Sequence, residues 1–142
     1  MTYYLDTSAL AKRYVTEPGS VLVRALFRRQ RPIVVSRIAY AELAAAVARQ
    51  CREGVLPGAA RDAILARLDR DLAQILVLDV RASTLGPVAG LVVRHPLRGF
   101  DAVHLASALA LAARGGSVDF WSADRRLVVA ARAEGLRATL VG

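Results

Sequence analysis

Four carboxylates in the sequence lie where their residue type and spacing could support chemistry. Asp6 directly follows a short apolar run, Asp101 and Asp124 stand at junctions between loops and predicted helices, and Glu42 lies inside an alanine-rich helical segment. Each has a structural explanation when taken alone: an aspartate that caps a helix contributes about 1 kcal/mol, and Arg49 could pair with Glu42. A buried carboxylate without a partner is unfavourable, however, and several close together require a cation.

The oxygen ligands of this acidic set indicate a hard divalent cation. Three of the carboxylates are expected at loop edges on one side of a parallel sheet, where they would repel each other unless a cation lay between them. Mg²⁺ or Mn²⁺ fits such a site. Zinc would lack its usual nitrogen and sulfur ligands, because Cys51 is the only cysteine and His95 and His104 are the only histidines.

The overall charge of the chain indicates a polyanionic partner. The sequence holds 20 Lys and Arg against 12 Asp and Glu, which gives a formal net charge of +8. Lys12 is the only lysine, so the positive charge is almost entirely guanidinium. Either nucleic acid or an acidic protein fits this balance. An acidic pocket within a basic surface favours metal-assisted cleavage of phosphodiesters, with arginines holding the polyanion. Arg125 and Arg126, which begin a predicted helix beside the site, are candidates for such phosphate contacts.

Alternating apolar runs and alanine-rich amphipathic segments predict a single domain over residues 1–142. Predicted strands cover 3–5, 33–35, 75–78, 118–122 and 137–141, and predicted helices cover 8–14, 20–29, 37–52, 59–71, 82–94, 102–114 and 125–134. This order predicts an α/β fold with three α/β/α layers around a mainly parallel sheet of about five strands. Ligands of such sheets bind at the carboxyl ends of the strands.

Two acidic residues compete for the position at the end of the fourth predicted strand. Asp119 lies near the start of that strand and Asp124 just beyond its end, about 15 Å apart at roughly 3.3 Å per residue. Only Asp124 can then join Asp6 at the carboxyl edge. We therefore expect Asp119 to be a solvated residue without a part in the site. His104 lies three residues after Asp101 on the same predicted helix and is expected to pack in the core, with a hydrogen bond donated to a carboxylate as the alternative.

The length of the longest apolar stretch predicts that the chain does not span a membrane. It runs from Ala102 to Ala113 and contains His104, which makes it too short to span a bilayer. The single cysteine excludes an intrachain disulfide. These features predict a cytoplasmic protein.

Four segments of the chain resemble the PIN domain endoribonucleases, most closely the VapC toxins of type II toxin–antitoxin pairs. The segments are YYLDTSALAKRYVTEPGS, SRIAYAELAAAV, LRGFDAVHLASAL and FWSADRRLVVAARAEGL, which occur in order over nearly the whole chain. The resemblance implies an Mg²⁺- or Mn²⁺-dependent endoribonuclease that forms a homodimer. It also implies neutralisation by a VapB-like antitoxin whose C-terminal segment blocks the site.

The resemblance also implies roles for individual residues. The acidic residues of the family fall on Asp6, Glu42, Asp101 and Asp124, and the hydroxyls beside them fall on Thr7, Ser8 and Ser122. Asp6 and Asp101 would hold the ion, and Glu42 and Asp124 would complete the site directly or through water. Many relatives have asparagine where this chain has Asp124. Ser8, Ser122 and Arg125 are candidate substrate contacts.

Other α/β classes fail on particular residues. A haloacid-dehalogenase-like phosphatase needs an aspartate at Ser8, a response-regulator receiver needs a lysine late in the chain, and a Rossmann or P-loop protein needs a glycine-rich first turn. Two alternatives stay open: a PIN-type nuclease of RNA maturation or quality control without an antitoxin, and a non-catalytic RNA-binding domain. A small antitoxin gene directly upstream would distinguish the toxin from the housekeeping nuclease.

Overall fold

Five strands form one parallel sheet at the centre of the computed structural model, which describes residues 1–142. The strands are β1 (Thr2–Leu5), β2 (Ile33–Ser36), β3 (Leu76–Leu78), β4 (Val118–Ser122) and β5 (Arg137–Leu140). Their spatial order is β3-β2-β1-β4-β5, and all four neighbouring pairs are parallel. The predicted parallel sheet is therefore confirmed, with strand ends within one residue of those expected.

Eight helices cover the two faces of the sheet. They are α1 (Thr7–Ala11), α2 (Ser20–Arg28), α3 (Ile38–Arg52), α4 (Gly58–Leu72), α5 (Ala82–Leu85), α6 (Val88–Arg94), α7 (Gly99–Ala113) and α8 (Arg125–Ala133). Alternate strand residues face opposite layers: Tyr4 and Phe120 pack with α6, α7 and α8, whereas Leu5 and Trp121 pack with α1 to α4. The expected three-layer architecture is confirmed.

Three predicted helices differ by three residues or more from those observed. The segment 82–94 forms two helices rather than one, because Pro87 has no backbone N–H to continue the hydrogen-bonding pattern and instead begins α6. The first helix ends at Ala11, earlier than the predicted residue 14, and α7 begins at Gly99, before the predicted residue 102. None of the helices combines the length and the apolar character needed to cross a membrane.

The only lysine of the chain is buried beside the end of the protein. Lys12 is 5% exposed, and its Nζ donates to the Pro18 carbonyl oxygen at 2.6 Å and to Glu17 Oε1 at 3.2 Å. A β-carbon built on Gly142 would lie only 3.0 Å from that Nζ, which shows how closely the chain end packs there. This lysine serves the packing between α1 and the segment that follows it.

An ion pair joins the end of α1 to the end of α4. Arg13 donates to Asp71 Oδ2 from Nε at 2.6 Å and to Oδ1 from Nη2 at 3.0 Å, and the Tyr14 hydroxyl donates to Oδ2 at 2.7 Å. The Arg13 guanidinium also stacks on Phe27, 3.7 Å from the ring centroid. Burial raises the pKa of Asp71, but the hydrogen bonds from Arg13 and Tyr14 outweigh that effect and hold the pKa below its ordinary value.

Replacement of Asp71 should therefore destabilise the fold. We expect Asp71→Ala to lower the free energy of unfolding by about 2 kcal/mol at neutral pH, since Arg13 and Tyr14 lose a largely buried partner. A depressed pKa in the folded state gives stability above the unfolded value of about 3.9, and that stability is lost as the pH falls through the folded pKa. Urea titrations at neutral and acid pH measure the difference. Asp62→Ala, at an exposed ion pair, is the control, and an equal loss in both variants would contradict the prediction.

Candidate active site

The four carboxylates singled out by the sequence lie at the carboxyl edge of the sheet or on the helices that start there. Asp6 follows β1 and caps α1, and Asp124 follows β4 and caps α8. These positions are adjacent because β1 and β4 pair directly, with Leu5 opposite Trp121. Asp101 lies in the first turn of α7. Glu42, near the start of α3, reaches the residue that follows Asp6.

Asp6 is a buried carboxylate whose two oxygens are both held by the protein. The side chain is 4% exposed. Oδ1 accepts from Ser8 Oγ at 2.7 Å and from the Ala9 amide at 2.9 Å, and Oδ2 accepts from Ser122 Oγ at 2.6 Å. Burial raises the pKa of Asp6 above its ordinary value, although nearby His104 and these hydrogen bonds oppose the rise. The folded protein thus keeps a desolvated acid that no lysine or arginine neutralises.

Ser8 and Ser122 both donate hydrogen bonds to Asp6 in the structure. The sequence had instead suggested them as substrate contacts. Ser122 is 0% exposed, donates to Asp6 and accepts from the Asp124 amide at 3.0 Å. Ser8 Oγ donates to Asp6 and accepts from the Ala123 amide at 2.9 Å. The two hydroxyls therefore tie the end of β1 to the turn after β4. A wholly buried Ser122 offers no surface to a substrate.

Glu42 is bound from one side by two side chains. Its Oε1 accepts from Thr7 Oγ1 at 2.6 Å and lies 2.7 Å from His104 Nε2, while the Glu42 side chain keeps 28% exposure. Burial raises the pKa of Glu42, but the hydrogen bonds from His104 and Thr7 outweigh it and lower the pKa below its ordinary value. The ion pair with Arg49 that the sequence allowed is not formed. His104 is buried, as expected, and also contacts this carboxylate.

Asp101 and Asp124 line one small cavity together with two arginines. The cavity has a volume of about 170 Å³ and is lined by Pro96, Arg98, Asp101, Asp124 and Arg126. Asp124 Oδ1 accepts from the Arg126 amide at 2.9 Å, and Asp101 Oδ2 accepts from the Arg98 amide at 3.3 Å. The guanidinium groups of these arginines form no salt bridge with either aspartate. The cavity therefore presents both charge signs without neutralising them.

The sequence placed Arg125 and Arg126 together at the start of a helix beside the site, with Arg125 as the candidate substrate contact, but only Arg126 lines the cavity. Arg126 lies in the wall, whereas Arg125 is an exposed residue of α8 outside it. Arg98 was not singled out by the sequence. The signal that could have found it is its position three residues before Asp101, where a helix begins.

The donor set at this edge fits a hard divalent cation. Asp6, Asp101 and Asp124 form no salt bridge, although the chain carries 20 lysines and arginines. Their oxygens and the free oxygen of Glu42 are the ligands that Mg²⁺ and Mn²⁺ prefer. No three acidic, histidine or cysteine side chains converge into a ready-made metal site in the arrangement described. The fit therefore rests on unpaired charge and oxygen chemistry.

Asp119 is remote from this edge, but the expectation that it is solvated is wrong. It is 3% exposed, accepts from Thr139 Oγ1 at 3.0 and 3.1 Å, and lies 3.4 Å from Arg137 Nε. The physical reason is the position of β4 inside the sheet, between β1 and β5, which covers the start of the strand. The register places Asp119 opposite Tyr3, away from the strand end.

Comparison with known proteins identifies related chains. The PIN domain family matches residues 3–133. Ribonuclease VapC45 of Mycobacterium tuberculosis is 39% identical over 138 residues, which cover 94% of this chain and 92% of that protein. VapBC2 of Rickettsia felis, solved bound to a DNA fragment from its promoter, superposes with a TM-score of 0.71 at 16% identity and full coverage of both chains. VapC20 of M. tuberculosis, a sarcin-ricin loop cleaving toxin, has a TM-score of 0.67 at 19% identity, covering 95% and 96% of the two chains.

Proposed function

This chain belongs to the PIN domain family and to the VapC ribonucleases within it, and from that premise we propose that it cleaves RNA phosphodiesters in the presence of Mg²⁺ or Mn²⁺. The cleavage would take place among Asp6, Glu42, Asp101 and Asp124, which we call the acidic edge. The observation that carries the proposal is the set of three carboxylates without salt bridges, Asp6, Asp101 and Asp124, which lie with Glu42 at the carboxyl edge of the sheet or on the helices that start there, in a protein of net charge +8. A structural ion-pair network would have used the available arginines.

Each acidic residue has a proposed part in the reaction. Asp6 and Asp101 would hold the divalent ion, and Asp124 would complete the site directly or through water. When bound, the ion supplies acidification of water and neutralisation of charge at the phosphate. Glu42 accepts the proton of the attacking water through Oε2, the oxygen that no protein donor occupies. Ser8 and Ser122 keep Asp6 in place throughout.

Arg98 and Arg126 are proposed to hold the RNA backbone beside the acidic edge. Both line the cavity of Asp101 and Asp124 and have no acidic partner. A guanidinium fork can contact phosphate oxygens bidentately. A substrate that binds there brings its own negative charge to these arginines, while its reacting phosphate lies near the carboxylates.

The salt dependence of RNA binding should identify these contacts. We expect Arg126→Ala to weaken binding of different RNA sequences to a similar extent, and to reduce the slope of log affinity against log salt by about 0.7, the value for one phosphate contact on a single strand. Titrations of a labelled RNA between low and moderate salt measure the slope. Arg125→Ala is the matched control on the same helix. A larger effect at Arg125 than at Arg126 would contradict the contact proposed for Arg126.

The partners proposed for this chain are a VapB-like antitoxin and a second copy of itself. The VapBC2 structure supports an antitoxin partner. Exposed apolar side chains on α5, α6 and α7 support self-association, since these helices contact one another and present Leu85, Val93 and Phe100 to solvent. We propose that the complex acts in the cytoplasm, where the RNA substrate is made.

Growth and cleavage experiments together test the proposed function. The purified protein should cut a labelled RNA internally and leave the DNA of the same sequence intact. Expression in a bacterial host should arrest growth, and co-expression of the gene directly upstream should relieve the arrest. RNA cleavage without growth arrest would favour a maturation or quality-control nuclease. RNA binding without cleavage would favour a non-catalytic RNA-binding domain and overturn the proposal.

A further inference from the structure

A row of three buried or half-buried side chains crosses from the core of the sheet to the acidic edge. The Tyr4 hydroxyl lies 3.0 Å from His104 Nδ1, and His104 Nε2 lies 2.7 Å from Glu42 Oε1. Tyr4 is 0% exposed and His104 is 2% exposed. Tyr4 also stacks on Phe120, with ring centroids 5.4 Å apart. The row is therefore anchored in packed core at one end and ends on a carboxylate at the other.

The partners of His104 determine where its ring carries hydrogen. Nε2 faces two oxygens, Glu42 Oε1 at 2.7 Å and Thr7 Oγ1 at 3.1 Å. The ionised carboxylate can only accept, and the single hydroxyl hydrogen of Thr7 is already donated to Glu42. Both groups therefore need a donor at Nε2. The ring must present Nε2–H to Glu42, with Tyr4 at the opposite nitrogen.

We propose that His104 is a positioning residue, held in place by Tyr4, that fixes the Glu42 carboxylate through Oε1 and leaves Oε2 as the oxygen available for chemistry. The inference rests on the proposed function, because it assigns a purpose to the orientation of Glu42 in RNA cleavage. It adds to the proposed mechanism a residue that touches neither substrate nor cation.

The arrangement differs from that of a histidine that only fills the core. A core histidine would be satisfied by Tyr4 and a backbone carbonyl, whereas His104 directs its second nitrogen to a side chain that is 28% exposed at the site. Carboxylates at catalytic and metal sites are often oriented by such a hydrogen bond, and loss of that partner commonly reduces activity 10- to 100-fold. We expect an effect of about this size on kcat.

Two amide substitutions at position 104 separate positioning from packing. The terminal nitrogen of glutamine lies near the place of Nε2, and that of asparagine near the place of Nδ1. His104→Gln should keep a donor for Glu42 and retain most of kcat, whereas His104→Asn should lower kcat about 10- to 100-fold with KM nearly unchanged. Tyr4→Phe, which removes one hydroxyl, should lower kcat less. Thermal unfolding identifies any variant that fails to fold.

A measurement that needs no activity tests the same inference. The chain has two histidines, so the imidazole signals in ¹⁵N spectra of the His95→Gln variant come from His104 alone. The long-range ¹H–¹⁵N correlations should show that Nε2 carries the hydrogen when Glu42 is present. Glu42→Gln should change the ¹⁵N chemical shift of Nε2. A His104 ring with hydrogen only on Nδ1 would overturn the proposal.

The outcomes keep the two proposals distinct. If the wild-type protein cleaves RNA and His104→Asn cleaves it equally fast while folded, the positioning role is wrong and the proposed function stands. If the wild-type protein cleaves no RNA but Nε2 of His104 carries hydrogen toward Glu42, the proposed function fails and the orientation of Glu42 is upheld.

Discussion

Asp6→Asn is expected to abolish RNA cleavage while the protein stays folded. The Asp6 carboxylate is one of the two proposed ligands of the divalent ion, and loss of its charge removes about 4 kcal/mol of transition-state stabilisation, a decrease in rate on the order of 10³-fold. Cleavage of a labelled RNA at saturating Mg²⁺ measures the loss. The same substitution should relieve growth arrest on expression.

The hydrogen bonds around Asp6 explain why the asparagine variant should fold. Its Oδ1 can still accept from Ser8 and Ala9. Its amide nitrogen can donate to Ser122 Oγ, from which the Asp6 carboxylate accepts a hydrogen bond in the wild-type protein. The substitution also removes the cost of burying a charge. We therefore expect a melting temperature no lower than that of the wild type.

Asp119→Asn is the matched control for this prediction. Asp119 is as buried as Asp6, at 3% against 4% exposure, but lies at the start of its strand. Its replacement should leave most of the cleavage. Equal losses in the two variants would mean that any buried aspartate of the sheet is needed for folding, and full activity of Asp6→Asn would contradict the proposed mechanism.

Removal of divalent cations should have an effect of similar size. In excess EDTA we expect no detectable cleavage, because the carboxylates of Asp6, Asp101 and Asp124 would repel the phosphate. Mg²⁺ or Mn²⁺ added beyond the chelator should restore the activity. Circular dichroism should stay unchanged, since the hydrogen bonds that hold Asp6 come from the protein itself.

The Asp6→Asn protein, purified in parallel, controls for contaminating ribonuclease in the chelation experiment. Cleavage that persists in EDTA with the wild type but not with this variant would exclude a divalent ion from the mechanism. Cleavage that persists with both would come from another enzyme. The prediction is upheld only when the wild type loses activity on chelation and regains it with added ion.

The edge position of Asp6 and Asp124 could be predicted from sequence because it depends on topology alone. Asp6 directly follows β1 and Asp124 lies two residues after the end of β4, and parallel strands place their carboxyl ends together whatever their side chains are. The division of the segment 82–94 into two helices could also be predicted, because the sequence has a proline at position 87. The pattern of apolar residues continues across Pro87, however, and that continuity favoured one helix.

The partners of buried polar groups could not be predicted in the same way. Whether Ser122 faces the substrate or Asp6, and whether His104 only packs or also binds Glu42, depends on which faces of β4 and α7 turn toward each other. These contacts join residues 116 and 62 positions apart. The burial of Asp119 likewise depends on β5 lying outside β4, a neighbour relation that local patterning does not specify.

The burial of Lys12 leaves the chain without an exposed ε-amino group. Enzymes that acetylate or tag lysines have no accessible lysine side chain on the folded protein, and amine-reactive dyes and crosslinkers find no exposed ε-amino group there. The positive charge of the chain, which arginines carry almost entirely, is therefore not lowered by modification of lysine in the folded protein. Lysine-directed tagging would therefore act on another protein bound to this chain and not on the folded chain itself.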